Sequence, residues 1–390
     1  MGPLTGVKII ELAGIGPAPF CGMLLADLGA DVLRIDRKAG GARSIDIDPA
    51  RDILNRGRRS IAMDLKHPEA IEALLGLVEK ADIFIEGFRP GVTERMGLGP
   101  DACLARNSKL VYGRMTGWGQ TGPLAQTSGH DINYLALSGA LHLIGRKGEK
   151  PLPPLNLVGD MGGGGLFLAF GLVCALLESR TSGQGQVVDA AMIEGAALQL
   201  SAVLMMRAVG HLKEERGTNL TDTGAHFYEV YETSDGGFIS IASLEKPFYD
   251  QLISLLELDP AECAGHMNPA NWTRLKALFA ETFRKKTRDE WCALLEGTDV
   301  CFAPVLSLTE APGHPHIAAR GTFRDHDGMV QPAPSPRFSR TPGEIAGPSR
   351  AAGADGRAIL ADLGLTGAQI DGLVASGAVK DPTATTTVEA

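Results

Sequence analysis

KIIELAGIGPAPFCGMLLADLGADVLRID, residues 8–36, decides the fold of this chain. Lys8-Ile-Ile-Glu-Leu12 reads as a buried strand, Ala18 to Leu28 as an apolar helical pattern closed by Gly29, and Asp31 to Asp36 as a second strand. A helix between two strands must cross over the sheet, so the strands pair in parallel. That is a βαβ unit and the start of an α/β fold.

The rhythm continues outward. Ser60 to Asp64 is a strand, Pro68 to Lys80 a helix, Asp82 to Glu86 a strand and Leu110 to Arg114 another. After Pro154 the texture changes. Gly162 to Gly165 feeds an apolar helix, Leu166 to Glu178, followed by a strand from Gln186 to Asp189. Met192 to His211 reads as one long apolar helix. From Phe227 a hairpin is predicted, Tyr228 to Tyr231 and Phe238 to Ala242 around a Ser234-Asp-Gly-Gly237 turn, with helices after it. The predicted architecture is a Rossmann-like large domain with a parallel sheet, residues 1–190 completed by 320–380. A linker helix and loop (191–224), a smaller α+β domain (225–315) and a disordered tail (381–390) complete it.

A net charge of −9 excludes a broad nucleic-acid face. Six scattered cysteines with no C-x-x-C pair predict buried, reduced thiols and a reducing, cytoplasmic setting. The chain opens directly into a strand pattern, with no signal peptide expected. The apolar runs are interrupted by glycine and polar residues, so no membrane partner is expected.

Three features carry chemistry. The first turn, Gly14-Ile-Gly16-Pro-Ala-Pro19, resembles a dinucleotide loop but has Pro19 where the third glycine belongs, so no nicotinamide cofactor is expected. Between Arg34 and Arg59 eight basic residues (Arg34, Arg37, Lys38, Arg43, Arg51, Arg56, Arg58 and Arg59) meet four acids, a local +4 in an acidic chain. Guanidinium forks suit phosphates, and an anionic ligand with several phosphates is the preferred partner over a solvated surface loop. Third, His130 in Gly129-His-Asp-Ile-Asn-Tyr134 is a candidate proton carrier. Asp160, before a run of four glycines, reads either as a helix N-cap or as a site of close ligand approach. Glu245 ends an apolar strand. No metal spacing is visible.

These residues resemble the α-methylacyl-CoA racemases of the family III CoA-transferases. The resemblance lies in Gly129 to Tyr134, Pro154-Leu-Asn-Leu-Val-Gly-Asp160, Met115-Thr-Gly-Trp-Gly-Gln-Thr-Gly122, Glu86-Gly-Phe-Arg-Pro-Gly-Val-Thr-Glu-Arg95, Gly185-Gln-Val-Val-Asp-Ala190 and Pro336-Arg-Phe-Ser-Arg-Thr-Pro342. It implies that His130 and Asp160 are bases on opposite faces of the substrate's α-carbon, with Glu245 as hydrogen-bonding partner. The Asp131 N–H becomes a donor to the enolate oxygen. Arg37, Met63, Asp64, Leu65, Lys66, Gly87, Phe88, Arg89, Arg95, Gly129 and Tyr134 match positions that contact the CoA ester, and Arg58 joins them from the basic run. CoA is part of the substrate, and no metal or other cofactor is implied. The enzymes resembled are interlocked homodimers whose sites lie between one subunit's large domain and the other's small domain.

The chain departs from the racemase pattern at Thr223 and His226, which replace a glycine and a proline, and at Lys246. His226 is then either a polar group of the acyl pocket or a surface-loop residue. The alternative reading is a CoA-transferase in which Asp160 attacks the thioester and forms a mixed anhydride.

Overall fold

A computed structural model describes residues 2–38 and 47–380. Arg43 and Asp46 of the basic run, and the tail 381–390, lie outside the described residues. The chain forms two compact units. Of the described residues, one comprises those through Ser138, Leu155–Gln199 and those from Gly321 to Lys380; the other comprises Gly139–Pro154 and Leu200–Arg320.

The first unit is built on six strands: β1 (Lys8–Leu12), β2 (Asp31–Arg37), β3 (Arg59–Met63), β4 (Ile83–Glu86), β5 (Val111–Thr116) and β6 (Gln186–Ala191). Their order is β3-β2-β1-β4-β5-β6 and every pairing is parallel. The α/β expectation holds. Alternate residues supply two cores, Ile10, Leu33, Phe84 and Tyr112 on one face, Ile9, Val32, Ile83 and Val111 on the other. A parallel sheet covered on both faces requires this apolarity in both phases of the strand. Beyond β3, Val379 bridges to Met63, and the Lys380 N–H donates to the Ala62 carbonyl, tying these two residues to the sheet edge.

The second unit carries β7 (Tyr228–Glu232), β8 (Phe238–Ala242) and β9 (Phe302–Pro304) in one antiparallel sheet, so the expected hairpin gains a third strand. Helices Lys246–Leu255, Pro269–Phe283 and Arg288–Leu295 enclose an aromatic core of Phe227, Tyr249, Phe279, Phe283 and Trp291. Gly139–Pro154 falls in this unit rather than with residues 1–138. Arg146 there grips the buried Glu229 with two 3.0 Å hydrogen bonds, and Arg216 donates to the carbonyls of His142 and Glu149.

Three expectations are corrected. The single helix from Met192 to His211 is two, Met192–Gln199 and Ser201–Ala208, split at Leu200. Glycines do not interrupt the apolar run after Asn156: Leu157–Ser182 is one helical segment of 26 residues, long and apolar enough by length and composition to cross a membrane, with 44% of its most apolar window buried in the protein. The cysteines are free, but only Cys21, Cys103 and Cys263 are buried, while Cys174 and Cys301 are exposed.

Candidate active site

From β1 the chain passes to β2 on one side of the sheet, while β4 pairs with the other side of β1. Connections diverge there, leaving a crevice at the carboxyl ends of β1 and β4, the usual ligand position in an open α/β sheet. A cavity of about 330 Å³ occupies it. Its walls are Gly14 and Ile15 after β1, Gly87 to Pro90 after β4, Met115 to Trp118 at the end of β5, and the segment that ends on Gly129 and His130.

His130 is exposed and immediately precedes the helix Asp131–Ser138. Its N–H donates to Asn133 Oδ1 at 3.0 Å, and its carbonyl accepts from the Asn133 N–H at 2.8 Å. The side chain is thereby launched from a fixed backbone. Tyr134 reinforces this, donating its hydroxyl to the Gly129 carbonyl at 2.5 Å and packing edge-on against Trp118. A Cβ at Gly129 would meet the Tyr134 ring at 2.8 Å, so glycine is required for the approach.

Asp160 does not cap a helix. It sits inside a wide π-helical turn, Leu157–Leu166, that runs directly into the helix Phe167–Ser182. Such turns add a residue to the ladder and recur at functional sites. Three of the four glycines after it offer no open ligand surface. Gly163, Gly164 and Gly165 are buried, and added Cβ atoms would collide with Ala196, Met192 and the Pro17 carbonyl. They let three helices approach one another.

The Asp160 N–H donates to Asp131 Oδ2 at 2.7 Å, and Asn156 Nδ2 donates to Asp160 Oδ2 at 3.4 Å. Burial raises the Asp160 pKa above the ordinary carboxylate value, and the Asp131 charge adds to the rise; Asn156 and His130 oppose it. The neighbouring carboxylate in this unit is therefore Asp131. Glu245 lies in the second unit, exposed, ahead of the helix Lys246–Leu255.

The expected CoA contacts divide. Arg37 is exposed at the end of β2, its guanidinium 5.8 Å from the centre of the Phe88 ring. Arg89 reaches Ser128 Oγ at 2.5 Å across the cleft, and Lys66 and Arg95 are exposed. Phe88 is fixed by its N–H, which donates to the buried Glu86 at 2.7 Å. Asp64 and Leu65 are half-buried. Met63 is 1% exposed, its side chain belongs to the core and its carbonyl accepts the Lys38 N–H, so it does not face a ligand.

Arg58 is a clear correction. Its guanidinium is fully buried, ion-paired with Glu11 and donating to the Pro19 carbonyl, so it cannot meet a phosphate. Arg56 is likewise spent on Asp27 and Gln331, Arg34 on Asp36 and Arg59 on Asp31 and Asp362. Four of the seven described basic residues of this run are thus held in ion pairs.

His226 is neither a pocket group nor a surface residue. It is fully buried, its Nε2 2.9 Å from the Tyr249 hydroxyl, with its ring edge-on to Phe227 and Phe279. Burial lowers its pKa to about 3. Thr223, at φ 73°, occupies a left-handed conformation that glycine adopts more readily, and Lys276 Nζ donates to its carbonyl. Lys246 pairs with Asp250 on the surface. The sequence reading missed Ile15, 73% exposed at the cleft. An isolated isoleucine between two glycines beside the first strand was the available signal. It also missed the Asp131 carboxylate.

Fold and cleft together define a doubly wound α/β protein with its site at the switch point of the sheet. The sequence model of CoA-transferase family III matches residues 4–356, and the chain belongs to that family. It is 45% identical to the α-methylacyl-CoA racemase of Mus musculus over 340 residues, 87% of each protein. Against the Homo sapiens racemase the identity is 43% over 340 residues, again 87% of each. Among solved structures, a CaiB/BaiF family protein from Brucella suis superposes with a TM-score of 0.80 at 28% identity, covering 93% of this chain and 99% of that one.

Proposed function

We propose that this protein racemises 2-methylacyl-CoA thioesters by removing and returning the α-proton. The observation that carries the reading is an exposed imidazole, His130, beside a carboxyl, Asp160, that burial and Asp131 bias toward its protonated form. Inverting a carbon requires taking a proton from one face and supplying one to the other. In one direction neutral His130 accepts the α-proton while protonated Asp160 delivers its own to the opposite face. In the other the roles exchange. The intervening enolate oxygen needs a donor. The Asp131 N–H lies in the first turn of a helix, where the backbone supplies no acceptor, and suits that role. A carboxyl biased toward protonation favours proton transfer over nucleophilic attack on the thioester, the step a CoA-transferase needs.

Arg37, Lys66, Arg89 and Arg95 form the remaining cationic set for the CoA phosphates. The reaction needs no metal or nicotinamide, because the thioester itself acidifies the α-carbon. Glu245 completes the site in this reading as a group supplied by a second copy of the chain. Exposed apolar residues support such a partner: Leu166, Phe170 and Leu177 line one face of Leu157–Ser182, and the helix Ser201–Ala208 buries none of its residues. A single-enantiomer 2-methylacyl-CoA incubated in deuterium oxide is expected to gain α-deuterium and lose optical purity. Movement of CoA to a free acid without exchange would replace this reading with the transferase.

A further inference from the structure

We propose that the Asp131 side chain is a positioning residue that ties the main chain of Asp160 to the helix carrying His130, holding the two bases as one unit. The inference deepens the racemase reading and rests on it for its functional consequence. Asp131 is 6% exposed and Oδ2 accepts the Asp160 N–H at 2.7 Å, joining segments 29 positions apart. Because His130 and Asp131 are adjacent at the start of one helix, this bond fixes the Asp160 backbone in the frame that fixes His130. Gly159 makes it possible: a Cβ there would stand 2.4 Å from Asp131 Oδ2.

The choice of a carboxylate is what calls for explanation. A neutral asparagine could accept the same N–H, and burying a charge costs more than burying an amide. No arginine or lysine pairs with Asp131 among the described residues, and its Oδ1 is buried without a hydrogen-bond partner. The first turn of its helix is where the backbone best tolerates a negative charge. The charge then acts on Asp160, the carboxyl that must carry a proton in one half of the cycle. The groups facing Asp160 in this unit are Asp131, His130, Asn156 and Tyr134; Asp131 is the carboxylate among them, and its charge raises the Asp160 pKa. Position and protonation are set by the same side chain.

Two variants separate these roles. Asp131→Asn keeps an oxygen for the Asp160 N–H and removes the charge, whereas Asp131→Ala removes both. Asp160 is followed by carbon-13 NMR of labelled aspartate, assigned by its absence in Asp160→Asn, alongside the pH profile of α-proton exchange. In Asp131→Asn the Asp160 titration and its limb of the profile should both move to lower pH, with the unfolding temperature retained. In Asp131→Ala, kcat should fall about 10²-fold through misplacement, with KM for the thioester unchanged because the arginines that hold CoA are untouched. An unmoved Asp160 titration in Asp131→Asn, or full kcat in Asp131→Ala, overturns the proposal. If Asp131→Ala does not fold, the Asp131→Asn titration decides alone. If the wild type exchanges no α-proton, the racemase reading fails while the titration still judges the role of Asp131.

Discussion

The basic run of the first unit and the loops that line its cleft invert what their compositions suggest. Residues 34–59 are crowded with arginines, yet Arg34, Arg56, Arg58 and Arg59 turn back on Asp36, Asp27, Glu11 and Asp31. The stretches 87–89 and 129–134 hold no cluster of basic residues, yet Gly87, Phe88, Arg89, Gly129, His130 and Tyr134 line the cleft. The difference is one of position in the sheet. Arg34, Arg56 and Arg58 point into the interior, where a charge persists only if paired, while Arg59 pairs at the half-exposed start of β3. Loops after β4 and β5 leave the sheet at its carboxyl edge, where the fold leaves an opening. Charge density in the sequence marks a cost that the interior must meet; strand ends mark the site.

The sharpest test of that contrast is a pair of single changes. His130→Ala should lower racemisation by roughly 10²–10⁴-fold while leaving the urea unfolding curve in place, because the side chain is exposed. Retained activity would remove His130 from the chemistry. Arg58→Ala should do the reverse. It strands the buried Glu11 and should cost about 3–5 kcal/mol of folding stability, read by urea unfolding. A loss of CoA affinity at unchanged stability would return Arg58 to the ligand.

The second unit carries a buried histidine whose titration bears on stability. His226 has a folded pKa of about 3 against 6.5 for the free side chain, burial being the main cause. The unfolded chain therefore takes up the proton first. The stabilisation is fully present above pH 6.5 and is lost as pH falls toward 3, by up to about 1.4 kcal/mol per pH unit. His226→Phe should flatten this part of the stability profile, and an identical slope would show that other groups govern it. The smallest effect is expected at Arg37. Arg37→Ala should weaken CoA binding by roughly tenfold, more at low salt than at high, with stability unchanged. Equal weakening of a short thioester that lacks the nucleotide would sever Arg37 from the phosphates.

Much of this was legible in one dimension. The near-continuous apolar runs at 8–12, 31–37 and 83–86, joined by helical patterns, suit strands buried on both faces of a parallel sheet, so the α/β class followed. His130 and Asp160 were marked by polar residues set among glycines in apolar surroundings. Other features were misread because their meaning depends on what lies opposite in space. Gly163 to Gly165 resembled a ligand-facing loop and instead admit Ala196 and Pro17 at close range.

The sequence by itself determined the strand and helix rhythm, the hairpin of the second unit and the residue types able to move a proton, since these depend on periodicity and on side-chain chemistry. Tertiary structure alone decided which charges are free. An arginine's partner can lie 275 positions away, as Gln331 does from Arg56, and nothing local announces it. It also decided that Asp131, next to His130 in the chain, would reach Asp160 across 29 positions. Burial and pairing are properties of facing surfaces, and a sequence orders residues only along its own length.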